Sequence, residues 1–212
     1  MEHLYIKSKD EENVETLILL HGTGGRETDL LDVAAMVDSD ANVLSLRGQV
    51  DENGQTRFFK RLSATEFDED SLKVEGDKIY ETLNELSETY GFDLNKAIII
   101  GYSNGANMGA YLLLNYKLGL RGAILMHSAY RSEAVESGML FDTDVLLTAG
   151  AKDMAATAGE SYTLKKKLED KGVNVTVKLT DGGHEISPME LMEGNVWFMP
   201  IKKALRDEGK LL

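Results

Sequence analysis

The sequence predicts an α/β fold: a mostly parallel, doubly wound sheet flanked by helices. Three observations predict it. Short apolar runs rich in β-branched residues alternate with helical patterns along the chain. Most of these runs are apolar on both faces, as strands buried between two helix layers are. Polar or glycine-rich segments come directly after several of them, where open α/β sheets place their ligand sites.

In chain order, strands are expected at Glu15–Leu20, Ala41–Leu46, Ala97–Ile100, Gly122–Met126, Asp144–Ala149 and Asn174–Leu179, with a weaker one at His3–Lys7. The run at Asn174–Leu179 alternates more than the others, which suits a strand nearer an edge. Helices are expected at Asp29–Val37, Ser71–Tyr90, Asn104–Tyr116 and Ala158–Lys171. In the long one, Leu72, Ile79, Leu83 and Leu86 recur at helical spacing with acids between them. Gly172 is placed to cap the end of the fourth helix. A last helix opens with Ser187 as N-cap, Pro188 at the first position and Glu190 at the third, a capping box. Pro200 is expected to kink or break it partway. No repeat, low-complexity tract or linker divides the chain, so residues 1–212 are read as one domain with little room for a large cap.

Bulk composition removes several function classes. Acids outnumber bases 36 to 23, giving a net charge of −13. Such a surface repels nucleic acid and anionic lipid headgroups. With no cysteine, thiolate zinc sites, disulfides and a cysteine nucleophile are excluded. The start, MEHLYIKSKDEENVE, lacks the apolar run of a signal peptide, and no stretch approaches about 18 consecutive apolar residues. A cytoplasmic protein without stable membrane insertion is expected.

Four segments beyond strand ends carry candidate chemistry. Gly101-Tyr102-Ser103-Asn104-Gly105 is a G-x-S-x-G pattern between a strand and a helix, the context a nucleophile elbow requires. Gly101 and Gly105 sit where side chains would crowd the turn. His21-Gly22-Thr23-Gly24-Gly25 lets backbone N–H groups approach a developing oxyanion, with Thr23 and Asn104 amides as the donors. It fits neither phosphate motif: Glu27 stands where a dinucleotide loop needs its third glycine, and no lysine closes a P-loop.

The acid and the base come next. Of nine carboxylates between Ser103 and His184, Asp153 lies just past a strand's carboxyl end and is best placed. His184 comes after the last strand and two glycines and gives the order Ser–Asp–His of α/β hydrolases. His127 also ends a strand and is the rival base or a pocket wall, while His21 is expected to brace the glycine loop. HEISP is not a zinc motif, because Pro188 stands at the second histidine position. Ser103, His184 and Asp153 thus form a candidate nucleophilic relay that needs no metal or cofactor.

These segments together resemble the phospholipase/carboxylesterase family, the acyl-protein-thioesterase-like branch of the α/β hydrolases. The resemblance covers nearly the whole chain. It rests on LLHGTGGRETDLL, LRGQV with RFFKRL after it, GYSNGAN, TAGAKD and DGGHEIS, in that order. It implies the α/β-hydrolase fold, a carboxylic-ester hydrolase activity extending to thioesters or lysophospholipid-like esters, Ser103, Asp153 and His184 as the triad, and Thr23 and Asn104 as oxyanion donors. Two departures stand out. MAATA comes after Asp153 where the family usually has proline or a branched apolar residue, and Asn104 stands where many relatives have glutamine.

The longest irregular stretch at the expected functional edge is Arg47–Phe67. Phe58 or Phe59 is expected to wall an acyl pocket, with Arg57 or Arg61 meeting a polar or anionic substrate group, against the plainer expectation of core phenylalanines and arginines paired with acids. Met108, Met126 and Met154 are candidate lining residues, though methionines are more often core. A small-molecule ester is the expected partner, and a homodimer is left open. A ligand-binding or sensor protein on the same fold, without turnover, is the competing class; an intact serine, acid and histidine set argues against it.

Overall fold

The computed structural model describes residues 1–10, 15–136, 138–140 and 142–209. Its central sheet contains β1 (His3–Ile6), β2 (Thr16–Leu20), β3 (Asn42–Leu46), β8 (Ala97–Tyr102), β9 (Gly122–Met126), β10 (Asp144–Gly150) and β11 (Asn174–Thr180). The spatial order is β1-β3-β2-β8-β9-β10-β11, parallel throughout except for β1, which runs antiparallel to β3. The alternating run at Asn174 indeed lies at an edge, paired with β10 alone.

Among the described residues, five α-helices accompany the sheet: α1 (Leu31–Val37), α2 (Glu69–Tyr90), α3 (Asn104–Asn115), α4 (Ala158–Glu169) and α5 (Pro188–Gly209). The strand period divides the core in two. In β2, Ile18 and Leu20 face the side covered by Leu72, Ile79 and Leu83 of α2, Met108 of α3 and Leu164 of α4. Leu17 and Leu19 face the side covered by Val33 and Val37 of α1 and Phe198 and Ile201 of α5. Both faces are buried, which is why these strands read as continuous apolar runs rather than alternating ones.

Helix ends obey local chemistry. Asp68 accepts from the Ser71 amide at 2.9 Å, so α2 begins at Glu69, two residues before the expected Ser71. α4 stops at Glu169, and Gly172 takes a left-handed turn at φ 86° just beyond it. α5 is not broken by Pro200. The proline removes the amide that the Val196 carbonyl would accept from, and Val196 and Pro200 both face solvent. A carbonyl on the solvent side is open to hydration, so losing its helical partner does not end the helix.

The stretch Arg47–Phe67 is not irregular. It holds two small antiparallel ladders, β4 (Val50–Glu52) with β5 (Gln55–Arg57), and β6 (Arg61–Ser63) with β7 (Glu66–Phe67). Asn53 and Gly54 join the first pair with φ of 57° and 81°. Asn-Gly between paired strands is the strongest short hairpin signal, because both central residues must adopt positive φ.

The chain starts on the edge strand β1, enters the sheet interior at β2, steps outward to β3 beside β1, and then returns to the other side of β2 through β8. The order therefore reverses between β2 and β8, and loops beyond their carboxyl ends diverge to leave a crevice. The glycine loop and Ser103 flank that crevice.

Candidate active site

Ser103 joins β8 to α3 at φ 51° and ψ −110°, a conformation few non-glycine residues adopt. It is held on both sides: its amide donates to the Met126 carbonyl at 2.9 Å, and its carbonyl accepts from the Asn107 amide at 3.0 Å. The turn tolerates no bulk. A Cβ on Gly101 would lie 2.7 Å from the Ala106 Cα, and one on Gly105 would overlap the Leu20 carbonyl.

The Ser103 hydroxyl lies 2.9 Å from His184 Nε2, and His184 Nδ1 lies 2.7 Å from Asp153 Oδ2. A carboxylate only accepts, so Nδ1 carries the hydrogen and Nε2 offers its lone pair to the serine. His184 arrives on the loop after β11, where the Tyr102 hydroxyl donates to its carbonyl at 2.7 Å. Asp153 lies just beyond β10. Its Oδ1 accepts from the Ala155 and Ala156 amides at 2.8 and 2.9 Å, so the MAATA run holds the carboxylate. Burial alone would raise the Asp153 pKa; the Ala156 amide, His184, His127 and the Ala155 amide outweigh it and hold the group below its ordinary value.

Thr23 and Asn104 line the same cavity as Ser103 and His184. The glycine loop is pinned from behind. The His21 Nδ1–H donates to the Gly22 carbonyl at 2.6 Å, and Nε2 accepts from the Gly48 amide at 3.0 Å. That pairing needs a neutral ring, and burial keeps the His21 pKa below its ordinary value. The β4–β5 ladder braces the loop again: Gly24 donates to the Thr56 carbonyl at 2.8 Å, and the Thr56 hydroxyl to the Gly25 carbonyl.

The cavity measures about 370 Å³ and carries Arg57, Arg61 and Arg131 beside Ala64, Phe67 and Met154. Arg57 is buried and donates to the Thr23 hydroxyl at 2.7 Å, directly behind the glycine loop. Arg57 and Arg61 share one carboxylate, Glu52, at 3.5 and 3.1 Å. Arg131 has its own partner, Glu160, at 2.6 Å. A larger groove of about 460 Å³ lies at the far edge, between Tyr5 and Tyr90, but no histidine lines it.

Some expected residues are elsewhere. Phe58 and Phe59 do not wall the cavity. They lie in the core, against His21 and Phe67 with ring centroids 4.7 and 4.8 Å apart, and Phe67 takes the wall position. The Asn104 Oδ1 accepts from the Phe58 amide at 2.7 Å and turns that segment inward. Met108 and Met126 are core residues, whereas Met154 is exposed at the cavity mouth.

His127 lines the cavity floor but does not approach the serine as its base. Its Nδ1 lies 2.9 Å from Asp153 Oδ2, and its Nε2 lies 2.9 Å from Glu190 Oε1. Glu190 is legible in the sequence only as a helix cap, and nothing near it in the chain announces a histidine partner. His127, Asp153 and His184 are the one convergent donor group among the described residues. Both imidazoles face a single carboxylate oxygen at 2.7 and 2.9 Å. Two ligands of one zinc ion, each about 2.0–2.1 Å from the metal in a tetrahedron, stand roughly 3.3 Å apart. These shorter distances are hydrogen bonds, and the donor set does not fit an ion.

A parallel sheet with a strained serine at a strand–helix turn, beside a histidine and a buried acid, defines an α/β hydrolase. The sequence matches the phospholipase/carboxylesterase family over residues 1–195. The chain belongs to that family and is a serine hydrolase of the carboxylesterase type. MhqD of Bacillus subtilis, named as a hydrolase, is 40% identical over 198 residues, 93% of this chain and 98% of that protein. The structure of a Bacillus cereus carboxylesterase shares 41% identity at a TM-score of 0.91, covering 95% of this chain and 94% of its own. YahD, solved with malic acid, shares 29% identity at a TM-score of 0.88 over 94% of this chain and 98% of its own. No described helix is long and apolar enough to cross a membrane.

Proposed function

We propose that this chain hydrolyses small carboxylic esters through an acyl-enzyme formed on Ser103. One observation carries the reading: the unbroken run of hydrogen-bond distances from Ser103 through His184 to buried Asp153, at 2.9 and 2.7 Å. His184 Nε2 takes the hydroxyl proton as Ser103 Oγ attacks the ester carbonyl carbon. The resulting imidazolium is stabilised and oriented by Asp153. Thr23 and Asn104 amides receive the oxyanion, each donor contributing about 10²–10³-fold. The alkoxide departs with the proton from His184. Water, deprotonated by the same nitrogen, then attacks the acyl-enzyme and releases the acid and Ser103.

The cavity supports a short, polar substrate. Two of the cavity's guanidinium groups share one carboxylate, and much of its apolar lining is small, from Ala64, Ala129, Ala155 and Ala156. The structure of YahD with malic acid, at 29% identity, points the same way. We assign the anion preference to Arg61, whose side chain is 40% exposed, rather than to buried Arg57.

A fluorophosphonate probe tests the reading. Wild type should label and Ser103→Ala should not. No labelling of wild type, or equal labelling of both, overturns it in favour of a binding protein. A panel of p-nitrophenyl esters of rising chain length tests the substrate class, with short acyl chains expected to turn over fastest.

A further inference from the structure

Beyond the serine, histidine and acid lies a second buried arm. Asp153 Oδ2 accepts from two imidazoles at once, His184 at 2.7 Å and His127 at 2.9 Å. His127 then meets Glu190 Oε1 at 2.9 Å through its other nitrogen. That contact is off the line of a hydrogen bond, and neither atom has another hydrogen-bond partner. The side chains of His127, Asp153 and Glu190 have 0% exposure. Glu190 Oε2 meanwhile accepts from the Ser187 amide and hydroxyl, both at 2.8 Å, capping α5. His127 itself has a left-handed backbone, φ 54°, and its amide donates to the Thr148 carbonyl at 2.9 Å.

We propose that His127 is a standing imidazolium clamped between Asp153 and Glu190, and that the pair positions Asp153 while Glu190 cancels the charge His127 brings to it. This rests on the reading of Ser103, His184 and Asp153 above. Nδ1 must carry hydrogen, because the Asp153 carboxylate can only accept. A neutral ring would then leave an Nε2 lone pair 2.9 Å from the Glu190 carboxylate in a fully buried site, a repulsive arrangement. A second proton makes both contacts attractive. The directions of titration agree. Burial pulls the His127 pKa down, but the Glu190 and Asp153 carboxylates outweigh it and leave it raised. Burial works to raise Glu190, yet His127, Thr148 and the Ser187 amide hold it down at about 2.

The other groups facing the ring do not undo this. Tyr102 meets His127 edge-on with centroids 5.8 Å apart and is uncharged at neutral pH, since burial raises its pKa. The His184 ring lies 5.3 Å away. The Glu185 carboxylate adds a further attraction to the imidazolium.

Charge decides the consequence. An imidazolium on Asp153 Oδ2 competes with the imidazolium that forms on His184 during turnover. Alone it would weaken Asp153 as a partner for His184. With Glu190 ionised, the arm is neutral, and His184 still faces one net negative charge. His127 also holds Oδ2 in place, as the Ala155 and Ala156 amides hold Oδ1.

The test is the pH profile of kcat/KM for wild type, Glu190→Gln, His127→Gln and the double variant. The glutamine side chain in Glu190→Gln retains an acceptor for the helix cap. In that variant the acidic limb should move to lower pH by about 1 unit, as removal of a nearby opposite charge implies. Its kcat should fall with KM little changed. In the double variant, which removes both charges, the limb should return toward the wild-type position. A merely structural role predicts no shift, or a double variant worse than either single one, and either result overturns the proposal. Ring-nitrogen NMR on wild type decides independently of whether the variants fold. Both His127 nitrogens should be protonated at neutral pH; a bare Nε2 overturns the proposal. A wild type inactive on esters and unlabelled at Ser103 fails the underlying reading, whereas an active enzyme with an unmoved limb fails this inference alone.

Discussion

The tightest glycine crossing among the described residues sets a sharp expectation for Gly105→Ala. A Cβ at Gly105 would stand 2.5 Å from the His21 carbonyl oxygen and overlap the Leu20 carbonyl. Both neighbours are backbone, so no side chain can swing aside. Relieving the overlap with the Leu20 carbonyl to even the 3.0 Å floor of real Cβ contacts needs about 1 Å of movement between α3 and the end of β2. The first turn of α3 carries Ser103 and Asn104, and the end of β2 carries the glycine loop. The substitution therefore separates Ser103 from Thr23 while loosening the core. Displacements of about 1 Å cost roughly 10²-fold in rate, so a drop in kcat/KM of about 10²-fold is expected. Overpacking against backbone adds a stability loss of about 1–3 kcal/mol. The assays are p-nitrophenyl acetate kinetics and urea denaturation. Gly159→Ala is the control: its Cβ meets nothing closer than the Thr157 hydroxyl at 3.9 Å, and it should stabilise α4 by about 0.5–1 kcal/mol. Wild-type rate and stability in Gly105→Ala would refute the steric reasoning.

Three further outcomes are expected from other parts of the structure. Arg57→Ala removes the donor to Thr23 and should lower kcat on neutral and anionic esters alike, whereas Arg61→Ala should raise KM for anionic esters selectively. Equal effects of Arg61→Ala on both ester classes would end its charge role. Thr157→Ala removes the cap of α4 and should cost about 1 kcal/mol by chemical denaturation. The third concerns pH. Glu190 has a folded pKa of about 2 against an ordinary 4.5, so its stabilisation is present above about 4.5 and is lost as pH falls toward 2. Asp153, also lowered, acts in the same sense. His127 is raised above 6.5, so its contribution is complete below 6.5 and is lost as pH rises through the folded value. Thermal melts across pH should show Glu190→Gln flattening the acid-side decline relative to wild type.

How far the sequence reaches can be judged residue by residue. The sheet strands are legible because their burial on both faces leaves continuous apolar runs. The capping boxes at Thr157 and Ser187 both join partners three residues apart, but only the one at Ser187 is announced by a proline at the first helical position. Asn53-Gly54 carries a readable hairpin signal, yet the polar residues around it also suit an irregular loop. Phe58 and Phe59 show the opposite case. Aromatic residues beside arginines suit a pocket wall and a core equally, and only the inward pull of Asn104 on the Phe58 amide separates the two.

By itself, the sequence determined the fold class, the strand–helix context of Ser103, and the chain order of Ser103, Asp153 and His184. These depend on local pattern and on the residues just beyond each strand. Only the tertiary structure decided which groups meet. That His127 and His184 share one oxygen of Asp153, and that Glu190 reaches His127 from a helix cap, depends on β9, β10 and α5 converging. Each residue's own neighbours in the chain are silent about such contacts. Hydrogen bonds and ion pairs act over a few ångströms in space, and the spacing of letters does not encode that distance.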